Sequence, residues 1–169
     1  MATDTIPGMD VTRRITVERN SLRFAAAHFA TFGGRCESLH GHNYDVTIEL
    51  EGDLAEESWI VDFGQVKRAA KALADQLDHK FLLQRESRHL AITESATAWE
   101  VRFQDKRYVF PRGDVAVLPM DNTTAERISE WFANGLLHYF DAAGVTTVRT
   151  LTVGIEEMPG QTGWYTVRR

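Results

Sequence analysis

The run Cys36-Glu-Ser-Leu-His40-Gly-His42 sets one thiol and two imidazoles within seven residues, and His28 stands twelve residues ahead of His40. His40 and His42 are two apart, so on a strand their side chains leave the same face. A neighbouring antiparallel strand could bring His28 to that face and complete a three-nitrogen site with one open position. Three neutral imidazoles and an exchangeable water are the pattern of catalytic rather than structural zinc. Cys36, the only cysteine of the chain, then serves better as a reacting thiol than as a fourth ligand. A His-x-His pair by itself carries less, because two strand histidines can equally be surface residues or hydrogen-bonded core residues. What favours metal is the combination of the third histidine, Gly41, the single thiol and the strand-like setting.

Two further groups are open to a chemical and a structural explanation. In Leu77-Asp78-His79-Lys80, an aspartate beside a histidine can hold a proton near neutral pH. A histidine at a helix C-terminus is also what the helix dipole favours. Val153, Ile155 and Glu157 alternate, so Glu157 continues an apolar face while Glu156 points away. A carboxylate there is costly unless paired, which suggests a ligand offering donor groups. A strand end that has already reached solvent accounts for it equally well.

The elements that must position these groups follow from periodicity. Residues 14–31 read as strand, with Leu22, Phe24, Ala26 and His28 on one face. Thr31-Phe-Gly-Gly-Arg35 is a turn or loop. Over 42–50, His42, Tyr44, Val46, Ile48 and Leu50 alternate with Asn43, Asp45, Thr47 and Glu49, which predicts an antiparallel pair with one solvated face. Asp62 is a good N-cap for a helix whose stripe is Phe63, Val66, Ala70, Leu73 and Leu77. Residues 84–95 read as polar and irregular, 99–103 and 107–110 as a hairpin, and 114–118 as a short extended piece. Thr123 and Glu126 fit a capping box for a second helix with the stripe Ala125, Ile128, Trp131, Phe132, Leu136 and Tyr139, ended by Gly144. Two strands close the chain, 147–157 and 164–168, joined through Pro159-Gly160. The order predicts one α+β domain: an antiparallel sheet with helices on one face, preceded by a polar leader over 1–12.

At 169 residues, 43% hydrophobic and 25% charged, the chain suits a single globular domain with a real core. A net charge of -5 argues against a nucleic-acid partner. No apolar run approaches a membrane span, and the N-terminus lacks a secretory pattern. One cysteine excludes an intrachain disulfide and fits a reducing cytoplasm.

With these motifs in order, the chain resembles the 6-pyruvoyltetrahydropterin synthase and 6-carboxytetrahydropterin synthase family of the T-fold class. The resemblance runs through Phe24-Ala-Ala-Ala-His28, Cys36-x-x-x-His40-Gly-His42-x-Tyr44, Trp59-Ile-Val-Asp-Phe63, Leu77-Asp-His79, Thr124-x-Glu126 and Glu157. It implies a T-fold with a four-stranded antiparallel sheet, two helices packed on one face and an inserted β-hairpin, all within 13–169. It implies Zn²⁺ held by His28, His40 and His42, Cys36 as the thiolate base, and Asp78 with His79 as the acid/base partner. Glu157 is then the pterin anchor. Thr124 and Glu126 match the Thr-x-Glu beside the pterin, although helix capping explains them as well. The implied assembly is a hexamer of two stacked trimers with sites between subunits.

The three-residue gap between Cys36 and His40 is similar to the bacterial carboxytetrahydropterin branch, whereas the branch with glutamate at the cysteine position does not match, although Glu37 follows at once. The expected activity is therefore a zinc-dependent lyase making 6-carboxytetrahydropterin from 7,8-dihydroneopterin triphosphate, on the route to deazapurines. The rivals are pyruvoyltetrahydropterin formation, retro-aldol cleavage of a dihydropterin side chain, or a zinc-containing pterin-binding protein with little turnover. Three departures bear on the substrate: an insertion over about 84–117, Met158 after Glu157, and Ala125 where a hydroxyl residue is common.

Overall fold

The computed structural model describes residues 11–169, apart from the side chains at 19–21. Most of the expected 1–12 leader thus lies outside the described residues. The first strand, β1 (Arg13–His28), runs into a small hairpin, β2 (Thr31–Phe32) and β3 (Arg35–Cys36), and returns as β4 (His40–Gly52). Gly33 and Gly34, at φ +55 and +73, make the hairpin's turn.

β1 and β4 pair antiparallel with Val17 opposite Ile48, Phe24 opposite Tyr44 and His28 opposite His40. Glu18 pairs with Thr47 and Arg23 with Asp45, so five steps along β1 match two along β4. The surplus of three residues is odd, and it switches which parity of β1 faces inward. Val17 is buried before it; Leu22, Phe24, Ala26 and His28 are buried after it.

The chain then forms α1 (Phe63–Leu77), capped by Asp62 Oδ1 accepting from the Gln65 amide at 2.8 Å. α1 buries Val66, Ala69, Ala70, Ala74 and Leu77 against the sheet, whereas Phe63, at the helix start, stays exposed. The next strand, β5 (Lys80–Gln84), pairs parallel to β1, with Lys80 opposite Ala26 and Phe81 opposite Ala27. An inserted three-stranded sheet follows: β6 (Ala91–Glu94), β7 (Ala98–Phe103) and β8 (Lys106–Pro111). β9 (Val115–Leu118) then lies parallel to β5.

The second helix, α2 (Ala125–Ala142), packs beside α1, and β10 (Val148–Met158) and β11 (Gln161–Arg168) complete the sheet in the order β11-β10-β4-β1-β5-β9. The expected four antiparallel strands are its centre and one edge. β5 and β9 extend it as a parallel pair that the sequence pattern hides, since Phe81-Leu-Leu83 follows a helix as a short apolar run with no alternation. The expected hairpin carries a third strand, β6, within the segment read as irregular.

The α2 cap is Thr124, whose side chain accepts from the Arg127 amide, not the expected Thr123. Thr123 is fully buried and used elsewhere. Phe140 rather than Tyr139 closes the buried stripe, because the contact line runs Phe132, Leu136, Phe140 in steps of four.

Two cores result. The larger lies between the sheet and both helices. The smaller joins Phe29, Cys36, Phe81 and Leu83 to Leu90, Trp99 and Val101 of the inserted segment.

Candidate functional site

His28 at the end of β1 and His40 and His42 at the start of β4 come together on the helix-covered face of the sheet, beyond the last apolar pair. Their available ring nitrogens lie within 4.8 Å of one another, and among the described residues this is the cluster able to hold a metal ion. Gly41 keeps the two strands close here: a Cβ on it would stand 3.0 Å from the Ala26 carbonyl oxygen.

Each imidazole is oriented through backbone. The Thr123 carbonyl accepts from His28 Nδ1 at 2.8 Å, and the Ser38 carbonyl accepts from His40 Nδ1 at 2.8 Å. His42 has a backbone hydrogen bond at Glu157. A carbonyl can only accept, so His28 and His40 carry their protons on Nδ1 and turn the Nε2 lone pairs inward. His28 Nε2 is buried with no hydrogen-bond partner. Burial holds the His28 pKa down at about 4 and lowers that of His42 too, so both are neutral donors at neutral pH. A buried, neutral, unpartnered nitrogen among three converging imidazoles fits a divalent metal ion.

A second layer fixes His28. Gln84, 1% exposed at the end of β5, accepts from the Thr123 amide at 2.9 Å and from the Thr123 hydroxyl at 2.8 Å. The carbonyl that sets the His28 tautomer is therefore itself held by a buried side chain. Gln84→Leu is expected to weaken metal binding by about tenfold or more, read by competition with a chelator. Unchanged affinity in a folded variant would show that Thr123 needs no such support.

His28 and His40 line a pocket of about 410 Å³ together with Glu37, Thr124, Glu126 and Glu157. Glu157 follows the buried Val153 and Ile155 on the inward face of β10, at the point where β10 slips register against β11 between Glu156 paired with Thr162 and Met158 paired with Gln161. Its Oε1 is 3.9 Å from His28 Nε2, and burial, then the Glu37 charge, raises its pKa. Glu156 points away and accepts from the Gly160 amide at 2.7 Å. Thr124 and Glu126 reach the pocket because α2 begins directly over β11. A Cβ on Gly163 would meet the Glu126 nitrogen at 2.5 Å, so only glycine permits that approach.

The remaining expected residues lie apart from this pocket. Cys36 is buried in the smaller core, its thiol directed at the Glu37 carbonyl, and burial pushes its pKa up. His79 lines a second pocket with Ala25, Ala27, Gly41, His42 and Asn43, and Asp78 precedes it at the edge of β1 where β5 begins. The Ala25 amide donates to Asp78 Oδ1 at 2.8 Å and the Ala25 carbonyl accepts from the His79 amide at 2.6 Å. Those bonds hold His79 at φ 56, a left-handed conformation unusual for histidine, with its ring exposed and Nδ1 3.0 Å from Asp78 Oδ2. The Ala25 amide, then His79, holds the Asp78 carboxyl below its usual range.

Sequence reasoning passed over Glu37, which lines the pocket and accepts from the Ala30 amide at 2.9 Å. Its signal was adjacency: Cys36 and Glu37 are consecutive, so one faces the pocket only if the other faces away.

Residues 15–168 match the family model of 6-pyruvoyl tetrahydropterin synthase. A Methanocaldococcus jannaschii protein provisionally named as a 6-carboxy-5,6,7,8-tetrahydropterin synthase is 32% identical, over 85% of this chain and 89% of its own. A Pyrococcus abyssi protein with the same provisional name is 32% identical over 80% of each. The crystal structure of 6-pyruvoyl tetrahydropterin synthase from Plasmodium vivax superposes with a TM-score of 0.89 at 29% identity, over 95% of this chain and 100% of that one. Variants of that Plasmodium vivax protein replace a glutamate described as a catalytic residue. The chain belongs to the 6-pyruvoyl tetrahydropterin synthase family, and its fold is the T-fold of that family.

Proposed function

We propose that the protein is a metal-dependent pterin lyase that converts 7,8-dihydroneopterin triphosphate to 6-carboxy-5,6,7,8-tetrahydropterin. The observation that carries this reading is the site itself: three converging imidazole nitrogens beside three carboxylates, Glu37, Glu126 and Glu157, of which Glu157 is partly desolvated. The names of the 32%-identical relatives support the product.

Glu157 anchors the pterin by accepting from its amino group and ring N–H, a paired charge-assisted contact. Thr124 and Glu126 border the same ring. His28, His40 and His42 would hold the ion, zinc by the chemistry of three imidazoles, and when bound it would supply Lewis-acid polarisation of the side-chain hydroxyls. Glu37 takes a proton from the side-chain carbon next to those hydroxyls.

Asp78 and His79, held at the β5 edge of β1 and outside the pocket of Glu37 and Glu157, serve the site of a neighbouring copy, so the working unit is a homo-oligomer, a hexamer in the arrangement the family resemblance implies. The open edges at β9 and β11 also suit assembly. Cys36, the base expected from the sequence, acts in this scheme only if the 36–37 turn rotates its thiol out of the smaller core.

A second reading is retro-aldol cleavage of the dihydropterin side chain, for which the pocket-facing Glu37 carboxylate can serve as the base; the Plasmodium vivax 6-pyruvoyltetrahydropterin synthase also carries a glutamate described as a catalytic residue. Product analysis of zinc-loaded wild type, Glu37→Gln and Cys36→Ala separates the readings. With Glu37 as base, Glu37→Gln loses turnover by about a hundredfold or more while Cys36→Ala keeps most of it. The reverse pattern assigns the base to Cys36. A 6-hydroxymethyl dihydropterin product assigns the second reading, and tight binding without turnover assigns a binding protein.

A further inference from the structure

Lys106 is the only lysine of the inserted segment. It follows the turn at Gln104–Asp105, where Gln104 takes φ 53, and opens β8. Its Nζ donates to the Cys36 carbonyl at 2.8 Å and to the Glu37 carbonyl at 3.1 Å. Among the described residues no carboxylate is within ion-pair distance of it. An ammonium is strongly hydrated, and directing it at two successive carbonyls in a half-buried position fixes the peptide plane between them.

The same turn is held from the opposite side. The Glu37 amide donates to the Ala30 carbonyl at 3.0 Å, and Glu37 Oε2 accepts from the Ala30 amide at 2.9 Å. Beneath it, Cys36 packs against Phe29 and Trp99.

We propose that Lys106 is a positioning residue: by holding the carbonyls of Cys36 and Glu37 it locks this turn with Glu37 facing the metal pocket and Cys36 packed under the inserted sheet. The inserted segment is then a working part of the site rather than a decoration beside it. The consequence for turnover rests on the function proposed above; the lock itself does not.

The test uses full-length, zinc-loaded protein with Lys106→Met, which keeps the stem and removes the donors, and Lys106→Arg, which restores donors and charge. The lone cysteine is the reporter. Alkylation of Cys36 by iodoacetamide is followed as a function of pH, because the high-pH plateau reports access to the thiol separately from any change in its ionisation. Hydrogen exchange of a peptide spanning 36–39 is compared with one from α2.

Lys106→Met is expected to raise the alkylation plateau and the 36–39 exchange rate about tenfold, with α2 exchange and zinc content unchanged, and Lys106→Arg to restore both. Turnover of Lys106→Met falls about tenfold to a hundredfold through kcat with KM little changed. A plateau and exchange rate equal to wild type overturn the lock, as does loosening that spreads equally to α2. A changed plateau in a protein whose wild type turns nothing over leaves the lock standing and overturns the function.

Discussion

Replacing His40 with alanine yields a folded protein that no longer holds a divalent ion and turns over its pterin at least about a thousandfold more slowly. A bound ion would contribute several kcal/mol of Lewis-acid stabilisation at the reacting hydroxyls, and each 1.36 kcal/mol is about tenfold in rate. His40 is the ligand to remove because it is the exposed member of the three, whereas His28 is buried. Its side chain makes one recorded bond, to the Ser38 carbonyl, so alanine there costs about 1 kcal/mol of stability or less. Elemental analysis, melting temperature and turnover on the same sample check the result. Full metal content with wild-type turnover in His40→Ala would remove the three-histidine site from the account.

Glu157→Ala is expected to weaken binding of a non-reacting dihydropterin by about a hundredfold, the loss typical of one partner in a desolvated, hydrogen-bonded charge pair. Metal content stays unchanged, because the His42 contact at this position is to the Glu157 backbone. The pH dependence gives the sign. Burial, then the Glu37 charge, raises the Glu157 pKa, so the carboxyl protonates at a higher pH than an ordinary glutamate. Only the ionised form accepts from two N–H groups at once. Wild-type affinity is therefore full above the raised pKa and is lost as pH falls through it, while Glu157→Gln binds weakly at every pH with no such step. Calorimetric titration across pH measures both. A Glu157→Ala protein that binds the pterin as wild type does would move the anchor elsewhere, to Thr124 or Glu126.

The convergence of His28, His40 and His42 was legible because it needed only two facts of strand geometry. Parity put His40 and His42 together, and an antiparallel neighbour brought in His28, which pairs directly with His40. Glu157 was legible by the same alternation. The three surplus residues between Glu18 and Arg23 were not, because nothing in local propensity marks where one strand gains residues on another. β5 escaped because a five-residue strand buried on both faces has no alternation to show. Choosing between Thr123 and Thr124 as cap was beyond the sequence, since adjacent threonines offer the same hydroxyl; burial of Thr123 against Gln84 decided it. Choosing between Cys36 and Glu37 was equally beyond it. That outcome depends on Lys106, seventy residues away, and on a core shared with the inserted sheet.

A pterin lyase working through the three-histidine site must show both its product and its metal dependence in one assay. The most direct test is mass-spectrometric product analysis of wild-type protein with 7,8-dihydroneopterin triphosphate, zinc-loaded and after chelator treatment. The loaded protein is expected to yield 6-carboxy-5,6,7,8-tetrahydropterin, acetaldehyde and triphosphate, and the chelated protein to leave the substrate unchanged. Unchanged substrate from both samples, with zinc confirmed on His28, His40 and His42, would contradict it.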